Sequence, residues 1–432
     1  MPLKQDLRNI FTLINQVFKY FMKISVSGLG YIGLPTATMF AHYGAHVIGL
    51  DVNQHAIDTI NQGKIHIVEP GLEAIVKEVV SSGHLKASLT PEPADAFLIA
   101  VPTPFKGDDH TPDLSYIESA AKTIAPVLTK GNVVILESTS PVGATEQMVE
   151  WLAAARPDLK FPTSAQDTDF DVYVAYCPER VLPGQVIREL VENDRTIGGL
   201  TPECAKKAAE VYKIFVKGDL VETNARTAEM TKLTENAFRD VNIAFANELS
   251  LICDRLNINV WELIALANRH PRVNILNPGA GVGGHCIAVD PWFIVNKTPD
   301  LARMVNTARE VNDNKPKWVV SKIEEAVAQL GDLGRKPKVA LLGLAFKPDI
   351  DDLRESPAIE ISELISEKDL YDILFVEPNV EILPPCLAQA GILTDLSTAL
   401  SEADVVAILV GHKEFADRSK FDDIELLNFV GC

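Results

Sequence analysis

The stretch GLGYIGLP at residues 28–35 follows a short apolar run, Ile24–Ser27, that has the composition of a buried strand. Its three glycines, Gly28, Gly30 and Gly33, have the G-x-G-x-x-G spacing, and a helix-like run, Thr36–Tyr43, follows them. Glycine permits a tight turn and a close approach of the backbone to a ligand. Strand, glycine turn and helix together predict a Rossmann unit, with a pyrophosphate at the helix N-terminus.

An acidic residue closes the next predicted strand, His46–Leu50. Asp51 stands eighteen residues beyond Gly33, where a carboxylate accepts hydrogen bonds from the adenosine ribose. The same carboxylate repels a 2′-phosphate, so the sequence predicts NAD and not NADP as the cofactor.

Composition limits the partners of the chain. The 432 residues carry a formal net charge of −19, which argues against nucleic acid or an anionic membrane as the main partner. No apolar run reaches the roughly 18 residues that a membrane span needs. Six cysteines are scattered without C-x-x-C pairs, which predicts neither a metal site nor a disulfide framework and suits a reducing cytoplasm.

Polar loops follow three further predicted strands, Ala96–Val101, Val133–Glu137 and Val172–Tyr176. In an open α/β sheet the ligand lies outside the carboxyl ends of the strands. The residues in these loops that we expect near a cofactor or substrate are Thr103, Thr139, Glu179 and Arg180. Either threonine could equally be an ordinary turn residue.

A long helical pattern from about Glu222 to Leu256 has no internal proline or glycine. Lys232, Asn236, Arg239 and Asp240 share one face of it, because they stand at i, i+4, i+7 and i+8. That face is either part of a site or a solvated charged surface of a connecting helix.

The two ends of the chain mirror each other. SVSGLGYIG at residues 25–33 resembles ALLGLAFK at 340–347, and Asp51 has a counterpart in Glu377. The second half lacks the third glycine, so we expect it to bind a nucleotide differently. The predicted fold is α/β, with two Rossmann-like doubly wound domains joined by a long central helix and a helical middle domain. The predicted boundaries are 1–21 (extension), 22–215, 216–330 and 331–432.

A cysteine stands in the glycine-rich loop GVGGHCIAVDP, residues 281–291, within His270–Phe293. Pro278 and Pro291 bracket this loop and prevent a helix from running through it. On residue type alone, Cys286 is either an inert buried hydrophobe or a nucleophile.

The motifs GLGYIGLP, VPTP, STSPVG, CPER, EMTKLTENAFRD, GVGGHCIAVDP and GLAFKPDIDDLRESPA occur in this order between residues 22 and 410. In this set the chain resembles the UDP-glucose/GDP-mannose dehydrogenase family. Such enzymes oxidise a sugar C6 alcohol to a carboxylate with two NAD molecules, and the aldehyde stage needs a nucleophile. The resemblance implies that Cys286 is this nucleophile. It implies that Lys232 transfers the proton, that Asn236 and Asp290 position a water and support Lys232, and that Glu179 assists hydrolysis.

The resemblance also implies the binding residues. Those expected to contact NAD are Gly28, Gly30, Tyr31, Ile32, Gly33, Asp51, Thr103, Thr139 and Arg354. Those expected to contact a UDP-sugar are Arg180, Val181, Lys232, Asn236, Arg239, His270, Arg272, Gly283, Phe346 and Lys347. In relatives the position of Arg272 can come from a second subunit, which implies a homodimer.

Several alternatives stay open. Within this resemblance, the sequences HPR at 270–272 and GHC at 284–286 narrow the expected sugar to an N-acetylhexosamine. They do not fix the configuration of the sugar at C2. A non-catalytic NAD-binding scaffold and a cysteine hydrolase are readings from other classes. His285 beside Cys286 could form a dyad, but neighbouring loop residues point apart, which favours a structural role. Residues 1–21 could be a non-native start or an amphipathic docking helix. Relatives extend past the position of Val430, so we expect the last strand to be incomplete.

Overall fold

The structure, a computed structural model, describes residues 22–107, 110–182, 184–284, 286–421 and 424–431. The chain divides into two compact units, Met1–Leu233 and Thr234–Cys432. The extension 1–21 lies outside the described residues, and so does His285. The predicted domain boundaries stay predictions.

An eight-stranded sheet forms the centre of the first unit. Its strands are β1 Lys23–Ser27, β2 His46–Leu50, β3 Leu85–Ser88, β4 Ala96–Ile99, β7 Val133–Leu136, β8 Tyr173–Tyr176, β9 Arg195–Gly199 and β10 Leu220–Asn224. Their order is β10-β9-β8-β7-β4-β1-β2-β3, and every pair is parallel except β8 with β9. The order reverses between β1 and β4, which is where an open α/β sheet binds its ligand.

The strands at the centre of this sheet are buried on both faces. Strands β4 and β7, AFLI and VVIL, have no exposed residue, as expected of parallel strands covered by helices on each side. The helices of this unit are α1 Gly33–His42, α2 Gln54–Asn61, α3 Leu72–Ser81, α4 Ser115–Ile124, α5 Ala144–Ala155, α6 Val186–Glu192 and α7 Pro202–Tyr212. A two-stranded hairpin, β5 Phe105–Lys106 with β6 Thr111–Pro112, lies apart from the sheet.

A long helix, α8 Ala225–Arg255, begins in the first unit and continues into the second. The prediction that it begins at Glu222 is wrong, because residues 220–224 pair with β9 as strand β10. Asn224 then caps the helix, since its side-chain oxygen accepts a hydrogen bond from the Thr227 amide at 2.9 Å.

The second unit combines helices with a five-stranded parallel sheet of order β13-β12-β11-β14-β15. The strands are β11 Lys338–Leu342, β12 Asp372–Val376, β13 Ile392–Leu393, β14 Val405–Ile408 and β15 Leu426–Asn428. The helices are α9 Val260–Ala267, α10 Asp290–Lys297, α11 Arg303–Gln329, α12 Pro357–Ser366 and α13 Leu396–Glu402. The predicted α/β class, with two Rossmann-type sheets and helices between them along the chain, is confirmed.

Candidate active site

Each glycine of the first βα turn is required, or left open, for a different structural reason. Gly28 has φ +88°, and a Cβ there would lie 2.5 Å from the Ala100 carbonyl oxygen. A Cβ on Gly33 would lie 1.7 Å from the Gly28 oxygen, so only glycine lets α1 begin this close to β1. At Gly30 a Cβ would meet nothing within 4 Å. The turn is therefore closed on the protein side and open where a pyrophosphate approaches the N-terminus of α1, which fits NAD.

Asp51 is oriented by two main-chain amides at the exit of β2. Its carboxylate accepts hydrogen bonds from Leu29 N at 2.8 Å and Asn53 N at 2.9 Å, and its side chain remains partly exposed. Sequence reasoning missed His66, which lies near this acid. Burial lowers the pKa of His66 below its ordinary value, and the Asp51 carboxylate opposes that shift.

The two predicted threonines come together at the carboxyl edge of the sheet. The Thr103 hydroxyl donates to the Thr139 carbonyl oxygen at 2.6 Å, and Ser138 Oγ donates to Val101 O at 2.7 Å. The Thr103 hydroxyl thus ties the loop after β4 to the loop after β7. Tyr31 is exposed and Ile32 is half-buried on the same side of the fold as the glycine turn.

Glu179 lies buried in a cluster of charged side chains. It accepts hydrogen bonds from Arg195 Nη2 at 2.9 Å and from the Arg180 amide at 2.6 Å. Arg195 also faces Glu137 at 3.8 Å, and Glu137 accepts from Tyr212 Oη at 2.5 Å. Burial raises the pKa of Glu137 to about 7. When Glu137 is protonated, the cluster of Arg195, Glu137 and Glu179 has no net charge. The positive charge of Arg195 then pairs with Glu179 alone.

The two residues that follow Glu179, Arg180 and Val181, are both half-buried. The Arg180 side chain donates to the Asp194 carbonyl oxygen, and Val181 packs against the core of the first unit. Sequence reasoning missed the roles of Arg195, Glu137 and Tyr212, because they are far apart in sequence and belong to no motif.

The long helix is anchored to the first sheet by Glu229. This fully buried carboxylate accepts from the amides of Gly143 and Thr145 at 2.7 and 2.9 Å, and from the Thr145 hydroxyl at 2.6 Å. Burial raises its pKa, and these hydrogen bonds oppose the rise. Lys232 follows at i+3 on α8, so Glu229 sets the position of the turn that carries Lys232.

The shared face of α8 is not a solvated surface. Lys232 and Asn236 are buried one turn apart, whereas Arg239 is exposed. Asp240 is fully buried and pairs with Arg309 Nη1 at 2.6 Å and with the Asn312 side chain at 2.8 Å. The alternative of a solvated charged face is therefore wrong for three of the four residues, and Asp240 has a structural partner.

The cysteine loop is held at several points within the second unit. Asn236 Nδ2 donates to Asp290 Oδ2 at 2.5 Å, and Asp290 N donates to the Cys286 carbonyl oxygen at 2.8 Å. Gly279 N donates to Asn247 Oδ1 at 2.9 Å, and Arg309 Nη1 contacts the Ile287 carbonyl oxygen at 3.5 Å.

Cys286 itself is exposed, so the reading as an inert buried hydrophobe does not hold. Its loop is fixed while the residue itself is exposed, an arrangement that suits a nucleophile.

The glycines of this loop pack against the segment that follows β11. A Cβ on Gly283 would lie 2.2 Å from Glu355 O and 3.1 Å from Phe346 Cβ. Gly284 has φ +83°, and its Cβ would lie 2.9 Å from the Phe346 ring. The structure therefore brings Gly283 and Phe346 together, and Lys347 is exposed next to Phe346. Their substrate-binding roles stay predictions.

The remaining predicted residues lie at the surface of the second unit. Arg354 forms a two-point hydrogen bond with Asp352, at 2.8 and 2.6 Å. His270 and Arg272 are exposed in the turn after α9, where the Arg272 amide donates to His270 Nδ1 at 3.3 Å. Their binding roles stay predictions.

Three domain models of one family match the chain in sequence. The NAD binding domain of the UDP-glucose/GDP-mannose dehydrogenase family matches residues 22–216, its central domain matches 226–314 and its UDP binding domain matches 340–427.

The chain belongs to the UDP-glucose/GDP-mannose dehydrogenase family. The resemblance stated from the motifs is thereby confirmed.

Curated relatives and solved structures agree with this family. A UDP-N-acetyl-D-mannosamine dehydrogenase of Yersinia pestis is 64% identical over 399 residues, which cover 91% of this chain and 94% of the relative. An NDP-N-acetyl-D-galactosaminuronic acid dehydrogenase of Ralstonia nicotianae is 61% identical over 395 residues, 91% of this chain and 92% of the relative. The structure of a UDP-D-ManNAc dehydrogenase from Pyrococcus horikoshii has a TM-score of 0.85 and 39% identity, and the match covers 95% of each chain.

Family membership makes the chain an NAD-dependent nucleotide-sugar dehydrogenase with a UDP-binding domain. The predicted cofactor is confirmed. Among the described residues, no helix has both the length and the apolar composition of a membrane span.

Proposed function

We propose that this enzyme oxidises UDP-N-acetyl-D-mannosamine at C6 to UDP-N-acetyl-D-mannosaminuronate, in two NAD-dependent steps that pass through a cysteine adduct. The observation that carries the proposal is the accessible Cys286 on a loop fixed through the Asn236–Asp290 hydrogen bond. The relative of 64% identity that bears this activity in its name supports the choice of sugar. The product is a building block for surface polysaccharide of the enterobacterial common antigen type.

The chain supplies a residue for each proton and each carbon-centred step. NAD, when bound, accepts the hydride of each oxidation. Lys232 receives the C6 hydroxyl proton and then stabilises the oxyanion that develops on this oxygen. The Cys286 thiolate adds to the aldehyde carbon and gives a thiohemiacetal, because an aldehyde alone has no alkoxide to expel hydride. Oxidation of this adduct gives a thioester.

Water then hydrolyses the thioester and regenerates Cys286. Asn236 and Asp290, joined at 2.5 Å, hold this water and support Lys232. Glu179, which accepts a hydrogen bond from Arg195, assists hydrolysis by activating the water. Hydrolysis is the step that makes the overall reaction irreversible, because it consumes the activated acyl group.

The binding residues divide between the two nucleotides. Gly28, Gly30, Gly33, Tyr31, Ile32, Asp51, Thr103, Thr139 and Arg354 contact NAD. For the UDP-sugar, the cations Arg180, Arg239, Arg272 and Lys347 match the charge of a diphosphate. The other substrate contacts are Val181, Lys232, Asn236, His270, Gly283 and Phe346.

A homodimer completes the proposed enzyme. Large apolar side chains on α8 are exposed seven residues apart: Phe238 at 67%, Phe245 at 52% and Ile252 at 44%. A stripe with this period is typical of helix pairing, and large exposed apolar patches mark interfaces. Arg272 of one subunit would then approach the active site of the other. No disulfide joins the five described cysteines, which suits a cytoplasmic location.

The experiment that tests the proposal supplies purified UDP-sugars with NAD and counts NADH per product. We expect two NADH per UDP-N-acetyl-D-mannosamine and no free aldehyde. One NADH with aldehyde release would refute the cysteine adduct, and NAD binding without NADH from any UDP-sugar would favour a non-catalytic scaffold. NAD-independent turnover would identify a cysteine hydrolase.

The alternative substrate is UDP-N-acetylglucosamine. A relative of 61% identity carries the name of another N-acetylhexosaminuronate dehydrogenase, so close relatives differ in sugar. Measuring kcat/KM for each purified UDP-sugar decides between the two substrates. A kcat/KM at least tenfold higher for UDP-N-acetylglucosamine than for UDP-N-acetyl-D-mannosamine would make UDP-N-acetylglucosamine the proposed substrate.

A further inference from the structure

The acid that ends β12 is buried inside the protein. Glu377 is 4% exposed, and its Oε2 accepts hydrogen bonds from the amides of Leu344 at 2.7 Å and Ala345 at 3.0 Å. These two amides belong to the turn after β11. A third group at the same oxygen is His412 Nε2, at 3.0 Å.

His412 joins this acid to the far end of the same segment. It is fully buried, and its Nδ1 accepts the Asp349 amide at 2.9 Å. Because Nδ1 is the acceptor, the ring proton stands on Nε2, which donates to Glu377. Asp349 has φ +61°, a conformation that is uncommon for residues other than glycine. Its carboxylate accepts the Lys413 amide at 3.1 Å.

The same residues could be mistaken for a metal site. The ligand atoms of Asp349, His412 and Glu414 all lie within 4.8 Å of one another. Nδ1 already accepts a main-chain amide and Nε2 faces Glu377, so neither ring nitrogen offers a lone pair to a cation. The cluster therefore fixes the backbone.

His412 and Glu377 fix the segment 344–349, and this segment packs against the cysteine loop. Phe346 is in the middle of the segment 344–349, and its ring packs on Gly284, two residues before Cys286. Lys347 follows it at the surface. A shift of the segment would move the support of Cys286 and the cation assigned to the diphosphate together.

We propose that His412 and Glu377 are positioning residues for the oxidation: they hold segment 344–349 at both ends, and through Phe346 they hold the loop of Cys286. The inference rests on the proposed role of Cys286 as nucleophile. Misplacement of a reacting group by about 1 Å can lower a rate by about a hundredfold, so a residue remote from the substrate can act in this way.

Two substitutions separate the roles of the two imidazole nitrogens: Nδ1, which faces the Asp349 amide and Asn379 Nδ2, and Nε2, which faces Glu377. In His412→Asn the amide oxygen takes the place of Nδ1 and still accepts the Asp349 amide. In His412→Gln the longer side chain reaches the place of Nε2 and keeps Glu377, but releases Asp349. His84→Gln, a partly exposed histidine of the first unit that stacks on His46, is the matched control.

The readouts are kcat/KM for the UDP-sugar, the NAD dissociation constant, the unfolding temperature and the alkylation rate of Cys286 by iodoacetamide in the free enzyme. We expect His412→Gln to lower kcat/KM by about tenfold and to change the alkylation rate at least threefold, with unchanged NAD affinity. His412→Asn should have a kcat/KM and an alkylation rate within threefold of those of the unmodified enzyme. His84→Gln should have the same values as the unmodified enzyme.

The inference is overturned if both His412 variants match the unmodified enzyme, or if both fall equally in step with the unfolding temperature. If the unmodified enzyme oxidises no UDP-sugar, the proposed function fails, and the alkylation rate alone decides the positioning role. If His412→Gln does not fold, Phe346→Leu tests the same link with the hydrogen bonds intact, and an unchanged alkylation rate there overturns the inference.

Discussion

Asp51 and Glu377 each follow the second strand of a Rossmann-type sheet, and each accepts a main-chain amide from the turn after the first strand. Asp51 stays partly exposed, whereas Glu377 is buried and receives His412 as well. The turn glycine is common to both halves: Gly28 has φ +88° and Gly343 has φ +90°. Only the first half leaves its acid and its Gly30 position open to a ligand.

The same βα-β arrangement serves two different purposes in the two halves of the chain. In the first half, which lies in the NAD binding domain, the turn and the acid are left open to a ligand. In the second half Ala345 fills the place of Gly30, and the acid holds the backbone of a segment that supports the cysteine loop. Five substitutions can break or sharpen this contrast.

Gly30→Val should have the largest effect. A Cβ at this position meets no atom within 4 Å, and the valine fills the space over the N-terminus of α1, so NAD affinity should fall at least a hundredfold, about 3 kcal/mol. The unfolding temperature without NAD should be nearly unchanged. Gly343→Ala is the counterpart: its Cβ would lie 2.5 Å from Val410 Cβ, so it should destabilise the fold and leave NAD affinity intact. Calorimetry with NAD and thermal unfolding measure both, and equal NAD affinities would remove the contrast.

Glu377→Gln should destabilise the enzyme without affecting NAD. Burial alone would raise the pKa of Glu377, but hydrogen bonds from His412 and from the Leu344 and Asn379 amides lower it to about 2. A lowered pKa stabilises the fold above the ordinary value of 4.5, and this contribution is lost as the pH falls through about 2. We expect a loss of about 3 kcal/mol in unfolding free energy at pH 7, and about 1 kcal/mol less than that at pH 4. Urea unfolding at both pH values tests this, and a loss independent of pH would contradict it.

Glu137→Gln should change how stability depends on pH. The pKa of Glu137 is raised to about 7, so its stabilising contribution is complete below pH 4.5 and is lost as the pH rises through about 7. Between pH 5 and 8 the unmodified enzyme should lose up to about 2 kcal/mol relative to the variant. Unfolding free energies across this range check the sign. Parallel curves for the two proteins would show that Glu137 is ionised throughout.

Asp51→Asn should have the smallest effect. Asparagine keeps one of the two oxygens that accept main-chain amides and loses the charge offered to the ribose, so NAD affinity should fall about tenfold and the preference over NADP should narrow. The two dissociation constants, measured by calorimetry, give the ratio. An unchanged preference would mean that the carboxylate does not set cofactor choice.

Sequence motifs predicted the first half well because its constraints are local. The glycine spacing, the strand Ile24–Ser27 and Asp51 stand within a single βα-β unit, and each has one physical reason to be there. The cysteine loop was also found, since glycines and prolines mark an irregular backbone. The resemblance to a family then supplied roles that spacing alone did not.

Long-range polar contacts could not be predicted from patterns. His412 and Glu377 are 35 residues apart, and Arg309 reaches Asp240 across 69 residues. Their residue types suit solvated loops and helix faces equally well, and only the packing shows that they are buried. The start of α8 was misplaced for a related reason: residues 220–224 show no apolar alternation, and their pairing with β9 makes them a strand.

The contact of the loop glycines with the segment after β11 has a consequence for engineering. Gly281 faces Pro357, Gly283 faces Glu355, and Gly284 faces Phe346. The cysteine loop and the segment 344–357 therefore pack closely together and must have complementary shapes. A chimera that imports the cysteine loop of a relative with another sugar preference should transplant residues 344–357 from the same donor. Altered specificity in this family would then be exchanged as a pair of segments, and selection on either one constrains the other.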